Sequence, residues 1–157
     1  KLKMSEAAKK RTVHGHQGCK HSEATKEKLR QNTLMMIKNG KYKHTKTKPH
    51  ILFSSILDKC NIVYEEEYIL KYWCFDFYLP EYSLLVEVDG DYFHSNPKVY
   101  PNGPKTVTQK VNHKNDLIKS NFVKKLNIQL IRFWESDIIS DIESVECTLK
   151  KLLKLGT

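Results

Sequence analysis

The stretch Trp73 to His94, WCFDFYLPEYSLLVEVDGDYFH, constrains the chain more than any other part of it. It reads as two β-strands joined by a short turn. Cys74-Phe75-Asp76-Phe77-Tyr78 is aromatic and β-prone, with a single carboxylate at its centre. Pro80-Glu81-Tyr82-Ser83 supplies the turn, with proline at the early position it suits. Leu84 to Val88 is nearly all apolar, the pattern of a strand covered on both faces. Glu87 and Asp89 interrupt it. Their two-residue spacing puts both carboxylates on one face, while Val86 and Val88 take the other. A strand buried among hydrophobes does not keep two carboxylates on one face unless they are paired or bind metal. Asp76, Glu87 and Asp89 on one hairpin, followed by His94, therefore form the candidate chemical centre. The plainer alternative is a strand end at which the acids are solvated.

The rest of the pattern frames that hairpin. Pro49 suits the first position of a helix capped by Thr47 or Lys48, with Ile51, Leu52, Ile56 and Leu57 at helical spacing. Asn61 ends this helix, and residues 62–70 predict a first strand. Residues 95–106, with three prolines and a glycine, predict a loop. Residues 107–126 predict a second helix, with Val111, Ile118, Phe122, Val123 and Leu126 on its buried side. Residues 128–133 predict a fourth strand, which Arg132 and Trp134 are expected to anchor; His113 is expected at the surface. Residues 139–155 predict a closing amphipathic helix with Ile142, Val145, Leu149, Leu152 and Leu153 inward. The order is α-β-β-β-α-β-α, an α/β (α+β) fold with a four-stranded mixed sheet flanked by helices.

Charge divides the chain differently from hydropathy. Residues 1–50 carry 14 Lys and Arg against 3 Asp and Glu, whereas residues 51–157 carry 13 against 15. The net +9 thus comes from the N-terminal third, which points to a polyanionic partner. Nucleic acid is the first candidate and a membrane surface the second. No stretch approaches the ~20 apolar residues of a membrane-spanning helix, and no secretory signal is expected. The chain opens on Lys1, as a trimmed piece of a longer protein would. Cys19, Cys60, Cys74 and Cys147 stand far apart with no CxxC pair, which predicts free thiols in a reducing, intracellular compartment.

A weak repeat runs through the basic third. Lys3 to Arg11 recurs as Lys20 to Lys28, each copy a Ser followed by Glu and helix formers, so each predicts a Ser-capped short helix. Lys43-His44-Thr45-Lys46 begins a degenerate third copy. Apolar residues are too sparse here for a core, so the units are expected to lie extended and to order on a partner. A basic disordered tail is the alternative. His14, His16, Cys19 and His21 offer zinc ligands, but so tight a cluster closes a tetrahedron poorly, and phosphate contact or solvation fits better. The candidate phosphate contacts are Lys9, Lys10, Arg11, Lys20, His21, Ser22, Lys26, Lys28, Arg30, Lys41, Lys43, Lys46 and Lys48.

Residues 3–45 resemble the nuclease-associated modular repeats appended to homing endonucleases, which implies an arm that tracks along DNA. Residues 49–140 resemble the PD-(D/E)XK nuclease superfamily, and within it the very-short-patch-repair type and related phage homing endonucleases. The motifs that carry this are Phe75-Asp76-Phe77-Tyr78-Leu79-Pro80-Glu81-Tyr82 and Val86-Glu87-Val88-Asp89-Gly90-Asp91-Tyr92-Phe93-His94. Asn115-Asp116 with Lys119 and Ile131-Arg132-Phe133-Trp134-Glu135 complete the set. The resemblance implies a restriction-endonuclease-like core, cleavage of DNA phosphodiesters, and Asp76 as central metal ligand. It places the family's loop histidine on His94 and its helix-borne aspartate on Asp116. Two departures stand out. His50 occupies the position where the family usually has a first-helix Glu, and the usual motif Lys is missing, since Glu87-Val88-Asp89 is followed by Gly90.

The residue chemistry agrees with that resemblance. Phosphodiester hydrolysis needs a polarised phosphoryl oxygen, an activated water and a neutralised leaving oxygen, which hard Mg2+ held by carboxylates can supply, with Mn2+ as the alternative ion. Asp76 would hold the ion with a third-strand group: Glu87, Asp89 or the Val88 carbonyl. His94 suits proton transfer as base or acid, and Lys119 suits a phosphate. Asp116 and Lys119 also read as an ordinary solvated i, i+3 pair. His50 reads as a ligand favouring Mn2+, Co2+ or Ni2+, as a second proton carrier, or as a helix cap facing solvent. The expectation is a Mg2+-dependent endonuclease of homing or mobile-element type acting on double-stranded DNA. Residues 1–48 would form a DNA-binding arm and residues 49–157 the nuclease. The chain would act as monomer or homodimer, without a small-molecule cofactor, in the cytoplasm of a bacterial or phage-infected host. The alternatives are a DNA-binding protein with a decayed nuclease fold and a mismatch-repair-type nicking enzyme.

Overall fold

The computed structural model describes residues 20–40 and 46–155. The first repeat copy, most of the third, the His14–Cys19 cluster, and Lys9, Lys10, Arg11, Lys41 and Lys43 lie outside the described residues. The helices are α1 (Glu23–Lys38), α2 (Lys48–Lys59), α3 (Asp91–His94), α4 (Val107–Lys125), α5 (Glu135–Ser140) and α6 (Ile142–Leu153). The strands are β1 (Glu65–Leu70), β2 (Trp73–Leu79), β3 (Leu84–Asp89) and β4 (Gln129–Trp134). They make one four-stranded sheet in the order β1-β2-β3-β4. The first three strands are antiparallel, and β4 lies parallel to β3, reached through the α4 crossover. This is the mixed sheet flanked by helices that the element order predicts. The β2–β3 turn is a 3-10 turn, Pro80–Tyr82, closed by Ser83 in the left-handed region at φ 47°.

The sheet's two faces are unlike. On one, Phe53, Ile56 and Leu57 of α2 meet Phe77, Leu79, Leu84, Val86 and Phe133 of the strands, with Ile138 of α5 and Val145, Leu149 and Leu153 of α6. The other face has only a small buried cluster, Phe75, Leu85 and Val123, under α4. The reading of α4 as an amphipathic helix with Val111, Ile118 and Leu126 inward is overturned. Val111 is 52% exposed, and Ile118 and Leu126 are exposed too. What α4 turns toward the sheet is Asp116, Lys119 and Val123, mostly polar because the strand face beneath is charged, while Gln109 at its start turns to the Tyr92 carbonyl of α3.

Three smaller corrections have local causes. Ile51 of α2 and Leu152 of α6 point outward. The first strand begins at Glu65 rather than Ile62. The closing helix is two helices, because Asp141 leaves helical geometry at φ −150°, ψ 80° and accepts the Ser144 N–H at 2.9 Å, capping α6. The second repeat copy does open with its Ser: Ser22 Oγ accepts the Thr25 N–H at 3.2 Å. The helix then runs on to Lys38 with no buried residue. Its support is local, from Lys26–Glu23 and Arg30–Glu27 pairs of 2.7 and 2.9 Å.

Candidate active site

The site begins with a fault in the sheet. In β1, Glu66 faces the α2 side, where His50 stacks on Phe77, whereas Tyr68 packs with Phe75 on the α4 side. In β2, Phe77 belongs to the α2-side core and Phe75 to the α4-side cluster. Two residues apart, each pair should share a face. The alternation therefore breaks at Glu67 in β1 and Asp76 in β2, which stand opposite each other between the paired Glu66↔Phe77 and Tyr68↔Phe75. Glu67 has φ 50°. Among the described residues it is the one non-glycine residue inside a strand with left-handed backbone, at a cost of roughly 1–2 kcal/mol. The fault frees Asp76 from the ladder: its Oδ2 accepts the Val88 N–H at 2.7 Å, a bond that a β2 carbonyl would otherwise make.

Beside Asp76 a cleft of about 380 Å³ opens, lined by Lys46, Thr47, His50, Glu67, Cys74, Asp76, Glu87, Val88 and Lys119. Glu87 is 7% exposed and is paired with the Lys119 ammonium, which also donates to the Cys74 carbonyl at 2.6 Å. The same ammonium lies 4.3 Å from the Phe75 ring centroid. Burial pushes the Glu87 carboxyl up to about 7, against the pull of Lys119. Burial likewise raises the Cys74 thiol to about 11, so it is no nucleophile at neutral pH. His50 does not face solvent as a helix cap. Its side chain is 12% exposed, its ring lies 4.5 Å from that of Phe77, and its Nε2 is buried without a hydrogen bond, 3.7 Å from Glu66 Oε1. Glu66 is also held by Lys46, so the segment that leads in from the basic third forms a wall of the cleft.

A second group lies next along the same sheet face. Asp89, 2% exposed, is gripped by Arg132 Nη1 at 2.9 and 2.6 Å. Arg132 Nη2 reaches Asp116 at 3.4 Å, and Asp116 Oδ2 holds His94 Nδ1 at 2.8 Å. Burial opposes charge on His94, but the Asp116 hydrogen bond and the Asp89 carboxylate outweigh it and raise its pKa. Burial raises the Asp116 carboxyl, and the His94 hydrogen bond and charge then carry it below its ordinary value. The loop after β3 fixes His94 in place. Gln109, fully buried, donates to the Tyr92 carbonyl at 2.9 Å and accepts the N–H groups of Lys105 and Thr106; Asn96 donates to Asp91 at 2.7 Å.

The sequence-predicted residues therefore fall into two sets. Asp76, Glu87, Val88, Lys119 and His50 line the cleft. Asp89, His94 and Asp116 form the network next to it, where Asp89 is committed to Arg132 rather than free as a ligand. Arg132 anchors more than its strand: it neutralises two acids. Its signal was available, since a cation between Ile131 and Phe133 in a covered strand needs a partner just as Glu87 does, and Arg132 pairs with Glu87 in the β3–β4 register. Glu67 and the Cys74 carbonyl were missed. Asp116 and Lys119 are not a solvated pair, because each bonds to the sheet. Among the candidate DNA contacts, Lys20, His21, Lys26, Lys28, Arg30, Lys46 and Lys48 are exposed, while the Ser22 hydroxyl is engaged in capping α1.

Asp76 and Glu87 offer the cleft carboxylate oxygen, the donor type a hard divalent ion takes, but Glu87 is held by Lys119 and no three acidic, histidine or cysteine side chains among the described residues converge on one point. No known protein family matches the chain, and no curated protein matches it. Among solved structures, it is similar to the catalytic domain of the homing endonuclease I-Bth0305I. The identity is 25% and the TM-score 0.50, over 68% of this chain and 93% of that domain. The sheet and its helices are thus a nuclease-like core. No helix among the described residues is long and apolar enough to cross a membrane.

Proposed function

We propose that this protein is a metal-dependent DNA endonuclease of the PD-(D/E)XK type, with residues 49–157 as the nuclease and residues 1–48 as a basic DNA-binding arm. The observation that carries this is the meeting of Asp76, Glu87, Val88 and Lys119 in one cleft, on a fold similar to a homing endonuclease catalytic domain. Asp76 and Glu87, with the Val88 carbonyl, would hold Mg2+ or Mn2+. Such an ion supplies positive charge at the phosphoryl oxygen and a more acidic bound water. The chain's own groups do the rest. Lys119 offers an ammonium to a phosphate oxygen while staying tied to the Cys74 carbonyl. His94, with Nδ1 held by Asp116, exchanges a proton at Nε2, and its raised pKa favours giving one to the departing 3′ oxygen. Lys46 lines the cleft wall, paired with Glu66.

Incubating supercoiled plasmid with the full chain tests this. Nicked or linear product with Mg2+ or Mn2+, and none with EDTA, is expected. Binding without cleavage under every metal would favour the decayed-nuclease reading, for which His50 in place of the family's Glu is the motivating residue. Removing residues 1–48 is expected to weaken binding and flatten its salt dependence, because fewer counterions are released. An unchanged salt slope would take DNA binding away from the arm.

A further inference from the structure

The sheet has two edges, β1 and β4, and the chain treats them differently. An edge strand presents unpaired N–H and C=O groups to any other strand, so folded chains blunt it with charge, with a kink or with a covering element. β1 has all three. Glu65, Glu66 and Glu67 stand in a row on it, Glu67 leaves strand geometry at φ 50°, and Ile37 and Lys38 of α1 line a pocket with residues 65–69. β4 has none. Among the described residues, no backbone group of residues 129–133 has a backbone partner outside the sheet. The one charge on the strand, Arg132, turns inward to Asp89 and Asp116. Grooves of about 430 Å³ flank β4 on both faces, one lined by Ser120, Lys124 and Leu130, the other by Ile131, Phe133 and Leu152. A bare strand between two grooves is the arrangement that accepts an added strand, whose alternate side chains enter the grooves.

We propose that two copies of this chain join through β4, antiparallel about a two-fold axis, so that their sheets run on as one of eight strands. The charges beside the strand select this occupant. Lys124 and Lys125 lead into β4, and Glu135 and Asp137 follow it. Asp137 is tied to Lys98 through an exposed pair, which contributes little. Six residues of strand hold the basic and acidic groups about 20 Å apart, beyond the ~10 Å over which surface charges act in salt, so they do not neutralise each other within one chain. Antiparallel pairing brings the basic end of one copy beside the acidic end of the other, at both ends of the joint. Parallel pairing would set like charge against like. An isologous contact needs a self-complementary patch, and residues 124–137 supply one. The pairing does not depend on the endonuclease reading. On that reading it places two Asp76 clefts five strand spacings, about 24 Å, apart, one for each strand of a duplex.

Sedimentation velocity of the full chain without DNA reads the association directly. A joint of two short strands falls at the small end of specific interfaces, so dimers are expected at tens of micromolar and monomers on dilution. Lys124→Glu with Lys125→Glu sets acid against acid at both ends of the joint, and Asp137→Lys sets base against base. Each variant alone is expected to weaken dimerisation by about tenfold or more. Mixed together they should regain it, because the new acids of one chain face the new lysine of the other and the unchanged ends still attract. Lys124 and Lys125 are exposed and Asp137 is half-exposed, so both variants should stay folded, as their unfolding midpoints will check. A wild-type chain that stays monomeric at tens of micromolar overturns the proposal and leaves β4 to a different partner. A dimer that both variants keep at full strength overturns it too, as do weakened variants that fail to recover on mixing.

Discussion

The cleft around Asp76 and the network around Asp89 are neighbours on one sheet face, built from the same residue types, yet their charges are handled in opposite ways. In the network each charge has its partner: Arg132 takes Asp89 with two hydrogen bonds and reaches Asp116, and Asp116 holds His94. In the cleft Glu87 is paired, but Asp76 accepts one backbone N–H and Glu67 has no partner among the described residues. Buried ions matched within the protein hold a structure in one arrangement, whereas unmatched ones at a cleft are available to a ligand. Along β3 the contrast runs between Asp89, gripped by Arg132, and Glu87 two residues earlier, which is paired with Lys119 but lines the cleft.

The comparison breaks most visibly at Asp89. Asp89→Ala leaves Arg132 buried without its main partner and is expected to cost roughly 3–5 kcal/mol in chemical denaturation. A loss below about 1 kcal/mol would mean the network braces nothing. The next effect is a pH dependence. His94 has a raised folded pKa, so the stability it contributes is complete below its unfolded value of 6.5 and is lost as pH rises through the folded value. Asp116 has a lowered one, so its contribution is complete above 3.8 and is lost as pH falls through the folded value. The pair should therefore stabilise most between those limits, and His94→Gln should narrow its gap to the wild type as the medium turns alkaline. A gap that widens above neutrality would invert the assigned shift. The smallest effect concerns His50. His50→Glu sets a carboxylate against Glu66, so a loss of about 1 kcal/mol is expected, recovered when Glu66→Gln is added. No recovery in the double variant would show that the imidazole's stacking on Phe77 is what matters.

Where the reading of the sequence succeeded, the governing rule was a simple period. Glu87 and Asp89 share a face because strands alternate, and a covered strand with two acids had to pair or ligate them. Where it failed, the period was overridden. Hydropathy predicts Val111 and Ile118 of α4 inward because they are apolar, but the helix turns Asp116 and Lys119 to a charged sheet instead, and hydropathy cannot weigh that. The kink at Glu67 depends on one backbone dihedral that no run of glutamates announces. His50 was placed correctly at the start of the first helix, though its stacking on Phe77 needed the packed structure. The second repeat copy revealed its capping serine and concealed its length, since nothing buried terminates α1.

Single-turnover cleavage by Asp76→Asn, with the unfolding midpoint measured alongside, tests the central claim most directly. Asparagine keeps an oxygen to accept the Val88 N–H and removes only the charge, so the fold should stay as stable as the wild type. The account predicts a rate lower by about 1,000-fold with DNA binding retained. Cleavage within about tenfold of the wild type by a stably folded Asp76→Asn would contradict it.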